Sequence, residues 1–272
     1  MSEPFLPALP ADVRWSINVL DGDGDVLAES GADRQCETAS VGKLFLLIEV
    51  ASRLESGALS PDERICIPDD LRVEDSGLLY RMRDQRLTIA DAALLVGAVS
   101  DNLATNALLH RCGLDVVRAR SRQLGYRDTG LLDYIRDERT PDMPWAPSCG
   151  TARDLSDLLH RLSNHEVVSS RVSAQVMEWL AADTDTSMVA SALLVDPLAH
   201  VEPDDQGIVL RHKTGTTSRV RADVGWVQGP AGSLTYAVCA NWDGDVRYLV
   251  PVMTAMRRIG ERLRDCVTGD PS

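Results

Sequence analysis

Apolar residues recur at two different spacings along this 272-residue chain, and the spacing changes twice. Alternation of apolar and polar positions near the N-terminus predicts strands at 14–20 and 26–29. The sequence between them, Asp21-Gly22-Asp23-Gly24, is typical of a hairpin turn. We therefore expect an antiparallel β-hairpin near the start of the chain.

From residue 40 onward the apolar positions recur every three or four residues, which is the period of an amphipathic helix. This spacing predicts a helix that begins at Ser40 and stops at Gly57. Thr88 and Asp91 form a capping box for a second, apolar helix that runs to about Val99. The same period predicts further helices at 102–112, 116–124 and 151–162.

Segments typical of strands return after residue 207, at 208–213, 222–227 and 233–241, and an amphipathic helix is predicted at 246–267. Strands at both ends of a helical middle predict an α+β fold, in which an antiparallel sheet is closed by the two termini. We expect one unit, 1–272, with an α/β lobe formed by 1–57 and 207–272 and an all-helical lobe formed by 58–206. Catalytic residues would gather in the cleft between the lobes.

Composition excludes several classes of function. The chain is 44 % apolar and 25 % charged, as in ordinary globular proteins, and its net charge of −13 argues against a nucleic-acid or anionic-membrane partner. The first twenty residues lack the pattern of a signal peptide and no apolar run approaches a membrane span, so we expect a cytoplasmic protein. Six scattered cysteines and five histidines show no ligand spacing, so neither a metal site nor a cofactor is predicted.

The basic residues point to the chemistry. Only two of the 28 are lysines, Lys43 and Lys213. Arginine cannot shuttle a proton near neutral pH, whereas the pKa of a lysine falls readily when the amine is desolvated. Lys43 ends the sequence Ser40-Val41-Gly42-Lys43, and the start of a helix would place its amine about one turn from the Ser40 hydroxyl. The helix N-terminus would add backbone N–H groups that can stabilise an oxyanion.

Two more short motifs follow. Ser100-Asp101-Asn102 lies where two predicted helices meet, and Lys213-Thr214-Gly215 lies on a predicted edge strand. Ser-x-x-Lys, Ser-Asp-Asn and Lys-Thr-Gly in this order resemble the motifs of class A β-lactamases and the related penicillin-binding proteins. The resemblance runs from about residue 14 to the C-terminus. It implies a β-lactamase-like, three-layer fold and a small-molecule amide or ester as substrate.

The resemblance also implies a role for each motif residue. Ser40 would be the nucleophile that forms an ester with the substrate carbonyl, and Lys43 would accept its proton. Ser100, helped by Lys213, would relay a proton to the leaving nitrogen. Asn102 would bind the amide side chain of the substrate. The backbone N–H groups of Ser40 and Thr216 would form the oxyanion hole. The remaining substrate-binding set is Thr214, Gly215, Thr216 and Arg221, in which the two threonines and the arginine would bind a substrate carboxylate.

One stretch departs from the family. Class A enzymes carry a glutamate about 36 residues after the Ser-Asp-Asn serine, in the form Glu-x-x-Leu-Asn, and it activates the water that hydrolyses the acyl-enzyme. Here the counted position falls on Ile135 or Arg136, and no Leu-Asn follows. Asp133, Asp137 and Glu138 are nearby carboxylates; each either substitutes for the missing base or is a solvated loop charge.

Asp75 is a second departure, because the family usually has an aromatic residue there, walling the cleft. A carboxylate at this position would repel an anionic β-lactam and favour a neutral or cationic substrate.

Three functions stay open. The first is a serine hydrolase that cleaves a β-lactam or related amide through an acyl-Ser40 intermediate. The second is an esterase, amidase or acyltransferase of small-molecule metabolism, in which Lys43 serves both half-reactions. The third is a non-hydrolytic binder that traps its ligand covalently with slow or no deacylation. The sequence predicts no oligomeric state.

Overall fold

A five-stranded antiparallel sheet joins the two ends of the chain, as predicted. The computed structural model describes residues 4–269. The sheet has the strand order β2-β1-β10-β9-β8, so the N-terminal hairpin pairs with the last strand and β8 lies at one edge. The strands are β1 Arg14–Asp21, β2 Val26–Ser30, β3 Cys36–Glu37, β4 Arg64–Ile65, β5 Leu87–Thr88, β6 Gly130–Leu131, β7 Ser148–Gly150, β8 Val209–Thr217, β9 Val220–Gly229 and β10 Gly232–Asn241.

The edge strand β8 extends four residues beyond the predicted end of this strand at 213. Its last part is polar and therefore lacks the apolar alternation of a half-buried strand. Pairing with β9 continues through these residues, with Thr214 opposite Asp223 and Thr216 opposite Arg221. The Lys-Thr-Gly motif consequently lies within the sheet ladder rather than after it.

The helices follow the predicted periods closely, with one omission. The described residues form α1 Lys43–Glu55, α2 Ile89–Val99, α3 Asn102–Cys112, α4 Leu114–Gln123, α5 Ala152–Ser163, α6 Ser170–Leu180 and α7 Leu249–Thr268. Helix α6 was not predicted, although its apolar positions recur at helical spacing and the Ser169 side chain caps it by accepting the Val172 N–H. No helix among residues 4–269 is long and apolar enough to span a membrane.

The sheet carries a hydrophobic core on each face, which gives the three-layer α+β arrangement. One face packs against α7 through residues such as Met256 and Ile259, which are fully buried. The other face of the sheet packs against a second hydrophobic core, which is formed largely by helices. Helix α1 belongs to this core, and its residues 43–50 are all buried. Because α1 is enclosed, the side chains at its first turn are held rigidly.

Two glycines allow the start of α1 to approach the neighbouring strands. A Cβ atom on Gly215 of β8 would lie 2.2 Å from the Thr38 carbonyl oxygen and 3.1 Å from the Ser40 nitrogen. A Cβ atom on Gly42 would lie 2.3 Å from the Cβ of Ser148 in β7. Since both contacts are closer than a side chain permits, glycine at these positions brings the Ser40 turn against the sheet edge.

Candidate active site

Residues of all three motifs meet at one cleft of about 680 Å³. The motif residues that line it are Ser40, Ser100, Asn102, Thr214 and Thr216. Lys43 and Lys213 are fully buried, and hydrogen bonds tie them to residues that line the cleft. The fold thus brings together residues that are 60 and 113 positions apart along the chain.

Ser40 lies in a 3₁₀ turn, Ala39–Gly42, and not in the α-helix itself, which begins at Lys43. The preceding residue, Ala39, has a φ of 48°, a left-handed conformation that is costly for alanine. The Ser148 hydroxyl donates to the Ala39 carbonyl at 2.5 Å and helps to hold the turn. This strained, packed turn fixes the direction of the Ser40 side chain.

The amine of Lys43 is held by the first and last residues of the Ser-Asp-Asn motif. Its Nζ lies 2.7 Å from the Ser100 carbonyl oxygen, 3.1 Å from Ser100 Oγ and 2.8 Å from Asn102 Oδ1. Burial and the nearby charge of Lys213 hold the pKa of Lys43 well below its usual value, against the opposing effect of Asp101. A lysine in this state can be a neutral amine and accept a proton.

Asp101 fixes the Ser-Asp-Asn segment from within. Its carboxylate is fully buried; one oxygen accepts the Ala104 N–H and caps α3, and the other accepts the N–H groups of Leu78 and Leu79, each at 2.7 Å. Ser100 has a φ of 54° at the end of α2, which turns its side chain out of the helix. The middle residue of the motif therefore positions Ser100 and takes no direct part in chemistry.

Lys213 has a counterion that sequence reasoning missed. Its Nζ donates to Asp183 Oδ2 at 3.1 Å, and the Thr214 N–H lies 3.3 Å from the same oxygen. Both side chains are essentially inaccessible to solvent. Asp183 comes shortly after α6, 30 residues before Lys213, and no spacing rule connects the two positions.

Two of the predicted substrate-binding residues, Gly215 and Arg221, are not among the residues that line the cleft. Gly215 packs against the Ser40 turn, and Arg221 is engaged elsewhere. Its guanidinium donates to the carbonyls of Thr217 and Val220 at 2.6 and 2.7 Å and stands 5.9 Å from the centre of the Trp242 ring. The side chain is thus engaged along its own strand pair, beside the cleft rather than in it.

The three candidate deacylation carboxylates have different environments. Asp133 is buried and pairs with Arg136 and Arg139 at 3.2 and 2.9 Å, and it does not line the cleft. Asp137 is exposed and lines the cleft. Glu138 is exposed and lines a separate hollow of about 180 Å³. Only Asp137 shares the cleft with Ser40.

Both positions to which the motif count assigned the missing glutamate, Ile135 and Arg136, line the cleft. The Ile135 N–H donates to Asn106 Oδ1 and its carbonyl accepts from Asn106 Nδ2, both at 2.9 Å. Asn106 stands one helical turn after Asn102, so this pair of bonds ties the loop to the same face of α3. The loop backbone is anchored here, and neither counted position supplies a carboxylate.

Asp75 lines the cleft as an exposed carboxylate and has a φ of 79°. Among residues 4–269, no group of three His, Cys, Asp or Glu side chains is arranged to hold a metal ion. The polar side chains that line the cleft are hydroxyl, amide, carboxylate and guanidinium groups.

Comparison with known proteins agrees with this geometry. The sequence profile of the β-lactamase enzyme family matches residues 8–267, and the chain belongs to that family. No curated protein sequence matches it. A β-lactamase from Sphaerobacter thermophilus is 25 % identical and superimposes with a TM-score of 0.80, covering 94 % of this chain and 92 % of that one.

Two structures of PBP-A are similar in fold. The first is 20 % identical with a TM-score of 0.77, covering 94 % of this chain and 90 % of that one. The second, a variant described as an acyl-enzyme complex with penicillin G, is 21 % identical with a TM-score of 0.74 and the same coverage. The family and the fold support a serine hydrolase of the β-lactamase type.

Proposed function

We propose that this protein transfers the acyl group of a β-lactam or a related amide to Ser40 and releases it slowly. The observation that carries the proposal is the buried amine of Lys43, bonded to Ser100 and Asn102 next to the Ser40 turn. A desolvated lysine in this setting is a general base for a serine hydroxyl.

The acylation step follows from these contacts. Ser40 Oγ attacks the carbonyl carbon while its proton passes to Lys43 Nζ. Negative charge develops on the carbonyl oxygen, and the N–H groups of Ser40 and Thr216 stabilise it. When the C–N bond breaks, Ser100 Oγ gives its proton to the leaving nitrogen and regains one from Lys43, 3.1 Å away. The products are an ester at Ser40 and a free amine.

Slow release is supported by the loop that faces the ester. Ile135 presents an apolar side chain where a water-activating carboxylate would be needed, and Asp133 is neutralised by two arginines. Asp137 is the remaining carboxylate of this loop in the cleft. This arrangement favours a protein that accumulates its acyl-enzyme, as a penicillin-binding protein does, over one that turns over rapidly.

Intact-protein mass spectrometry tests the proposal directly. Incubation with penicillin G is expected to add the mass of the intact antibiotic within minutes and to retain it for much longer, with slow hydrolysis of a chromogenic cephalosporin. Ser40→Ala should abolish the adduct. Lys43→Arg should lower the acylation rate by about 10³-fold, because a guanidinium cannot accept the proton.

Other outcomes favour the other functions. Fast cephalosporin turnover without an accumulated adduct would indicate an efficient β-lactamase. Cleavage of p-nitrophenyl esters that depends on Ser40, with no reaction of β-lactams, would indicate an esterase. An adduct that persists in Ser40→Ala would contradict every version of the assignment.

A further inference from the structure

Asp185 places a carboxylate at the end of the cleft where the family resemblance expects a substrate carboxylate to bind. It lines the cleft together with Thr214 and Thr216. These two threonines are two positions apart on β8, so their side chains project from the same face of the strand. The Thr214 side chain lies close enough to Asp185 to help lower the pKa of its carboxyl. A ligand that approaches the Thr214 hydroxyl at this end therefore meets an anion of the protein beside it.

The position of Asp185 is fixed by the catalytic residues themselves. Its N–H donates to Asp183 Oδ1 at 3.0 Å, while the other oxygen of Asp183 binds Lys213. Its own carboxylate accepts from the Ser187 hydroxyl at 2.6 Å. Burial raises the pKa of Asp185, but the hydrogen bonds from Ser187 and Thr214 and the charge of Lys213 outweigh burial and lower it. Asp185 is thus a held, ionised group.

The cation expected at this end is not free to bind a ligand. Arg221 donates to two backbone carbonyls and does not line the cleft. Burial lowers the pKa of Arg221, and the opposing charge that raises it is that of Asp185. The guanidinium is therefore bonded along its own strand pair and stands beside the cleft, near Asp185.

The lining arginines are engaged in ion pairs. Arg136 and Arg139 both pair with Asp133, and Arg219 stands 3.8 Å from Glu37. In the part of the chain that the structure describes, no such ion pair involves Asp75, Asp137 or Asp185, which all line the cleft. At this end a carboxylate on a substrate would meet repulsion from Asp185, whereas a hydrogen-bond donor would meet an acceptor.

We propose that Asp185 sets the substrate class, by selecting amides or esters that carry a hydrogen-bond donor, a primary amide or an amine, in place of a carboxylate next to the reacting group. The inference rests on the acyl transfer at Ser40 proposed above. Asp185 is a specificity residue: it accepts a hydrogen bond from the bound substrate and takes no part in proton transfer.

Three probes with one scaffold test this. Penicillin G, its 3-carboxamide and its 3-(2-aminoethyl)amide share the β-lactam and differ only in the group that would face Asp185. Acylation of Ser40 is followed by intact mass, and each rate is divided by the rate of hydrolysis of that probe in hydroxide. The two amides are expected to react about tenfold faster than penicillin G, an effect that one charge contact near a protein surface can supply.

Variants then assign the preference to the residue. Asp185→Asn removes the charge and should erase or reverse the order, as should Asp185→Ser, which provides a second variant if the first is unstable. Asp205→Asn removes one negative charge from an exposed position outside the cleft and should keep the order. Thermal unfolding confirms that each variant is folded.

The outcomes separate the two proposals. The role of Asp185 would be overturned if penicillin G formed its adduct fastest. It would also be overturned if the order of the three rates stayed the same in Asp185→Asn and Asp185→Ser. Either result would leave the proposal of acyl transfer intact. Failure of all three probes to modify Ser40 would overturn the acyl transfer and, with it, this inference.

Discussion

The two sides of the cleft differ in the functional groups that they supply. On the side of α1 and β8, Lys43 and Lys213 are buried beside Ser40 and Ser100; Lys43 donates to Ser100, and Lys213 has Asp183 as its counterion. On the opposite side, the loop 131–147 presents Ile135 and keeps its buried carboxylate, Asp133, for two arginines. The comparison teaches that the groups proposed to form the ester and those needed to hydrolyse it lie on different elements, so each step can be tested separately.

Ile135→Glu tests whether a general base for deacylation is all that the loop 131–147 lacks. Its backbone is anchored by Asn106, so a carboxylate at this position would be directed into the same cleft. We expect deacylation to accelerate by about 100-fold while acylation changes little. The measurement is the decay of the Ser40 adduct by intact mass after excess penicillin G is removed.

Ile135→Gln is the matched control, because it has similar size and polarity but cannot accept a proton. It should leave deacylation slow. Equal acceleration in both variants would mean that polarity or water entry, and not a missing base, limits release.

Asp133→Ala tests whether that carboxylate is structural. Removing it leaves Arg136 and Arg139 without their buried partner. We expect a loss of about 2 kcal/mol in the free energy of unfolding, less than for a fully buried pair because the arginines remain partly exposed. Thermal or urea unfolding measures the change.

Asp137→Ala serves as the comparison, because Asp137 is an exposed carboxylate of the same loop. Its effect on stability should stay within about 0.5 kcal/mol. If Asp133→Ala were equally mild, the loop would be held by Asn106 and packing, and Asp133 would return as a candidate base.

The pH dependence of acylation tests the side of the cleft that contains Lys43 and Lys213. Lys43 must be neutral to accept a proton, so acylation should rise with pH through the pKa of Lys43 and then level off. Burial and Lys213 lower that pKa, so the plateau should begin well below the usual range of a lysine. Lys213→Met removes a neighbouring cation and leaves the negative charge of Asp183 without its counterion. Both effects raise the pKa of Lys43.

The rising limb should accordingly move to higher pH in Lys213→Met, as measured by acylation rates from pH 5 to 10. The position of the limb is the readout, because the plateau rate can fall for other reasons. A limb that stayed in place, or moved to lower pH, would show that Lys213 does not tune Lys43.

Local features of the site could be predicted because they depend on short stretches of chain. The three-residue spacing of Ser40 and Lys43 and the period of α3 are both set by helix geometry. The antiparallel closure of the sheet by the two termini followed from the alternation of apolar residues in its strands. For these, the sequence sufficed.

Features that depend on contacts between distant segments could not be predicted in this way. The last residues of β8 have a polar pattern that is weak locally, and pairing with β9 stabilises them. Helix α6, by contrast, has a local pattern that the sequence prediction overlooked. Asp183 and Asp185 lie in an irregular segment whose carboxylates acquire their roles only when it packs beside β8. Counting from Ser100 placed the missing glutamate at Ile135 or Arg136. The hydrogen bonds that tie the Ile135 backbone to Asn106 became visible only in the folded chain.

The sequence by itself determined the three motifs and their order along the chain, because each motif is a short local pattern. Only the tertiary structure decided which charges line the cleft. Asp133 is neutralised, Asp185 is held ionised beside Thr214, and Arg221 is engaged elsewhere. Those outcomes depend on burial and on neighbours brought in by folding, which no spacing along the chain encodes.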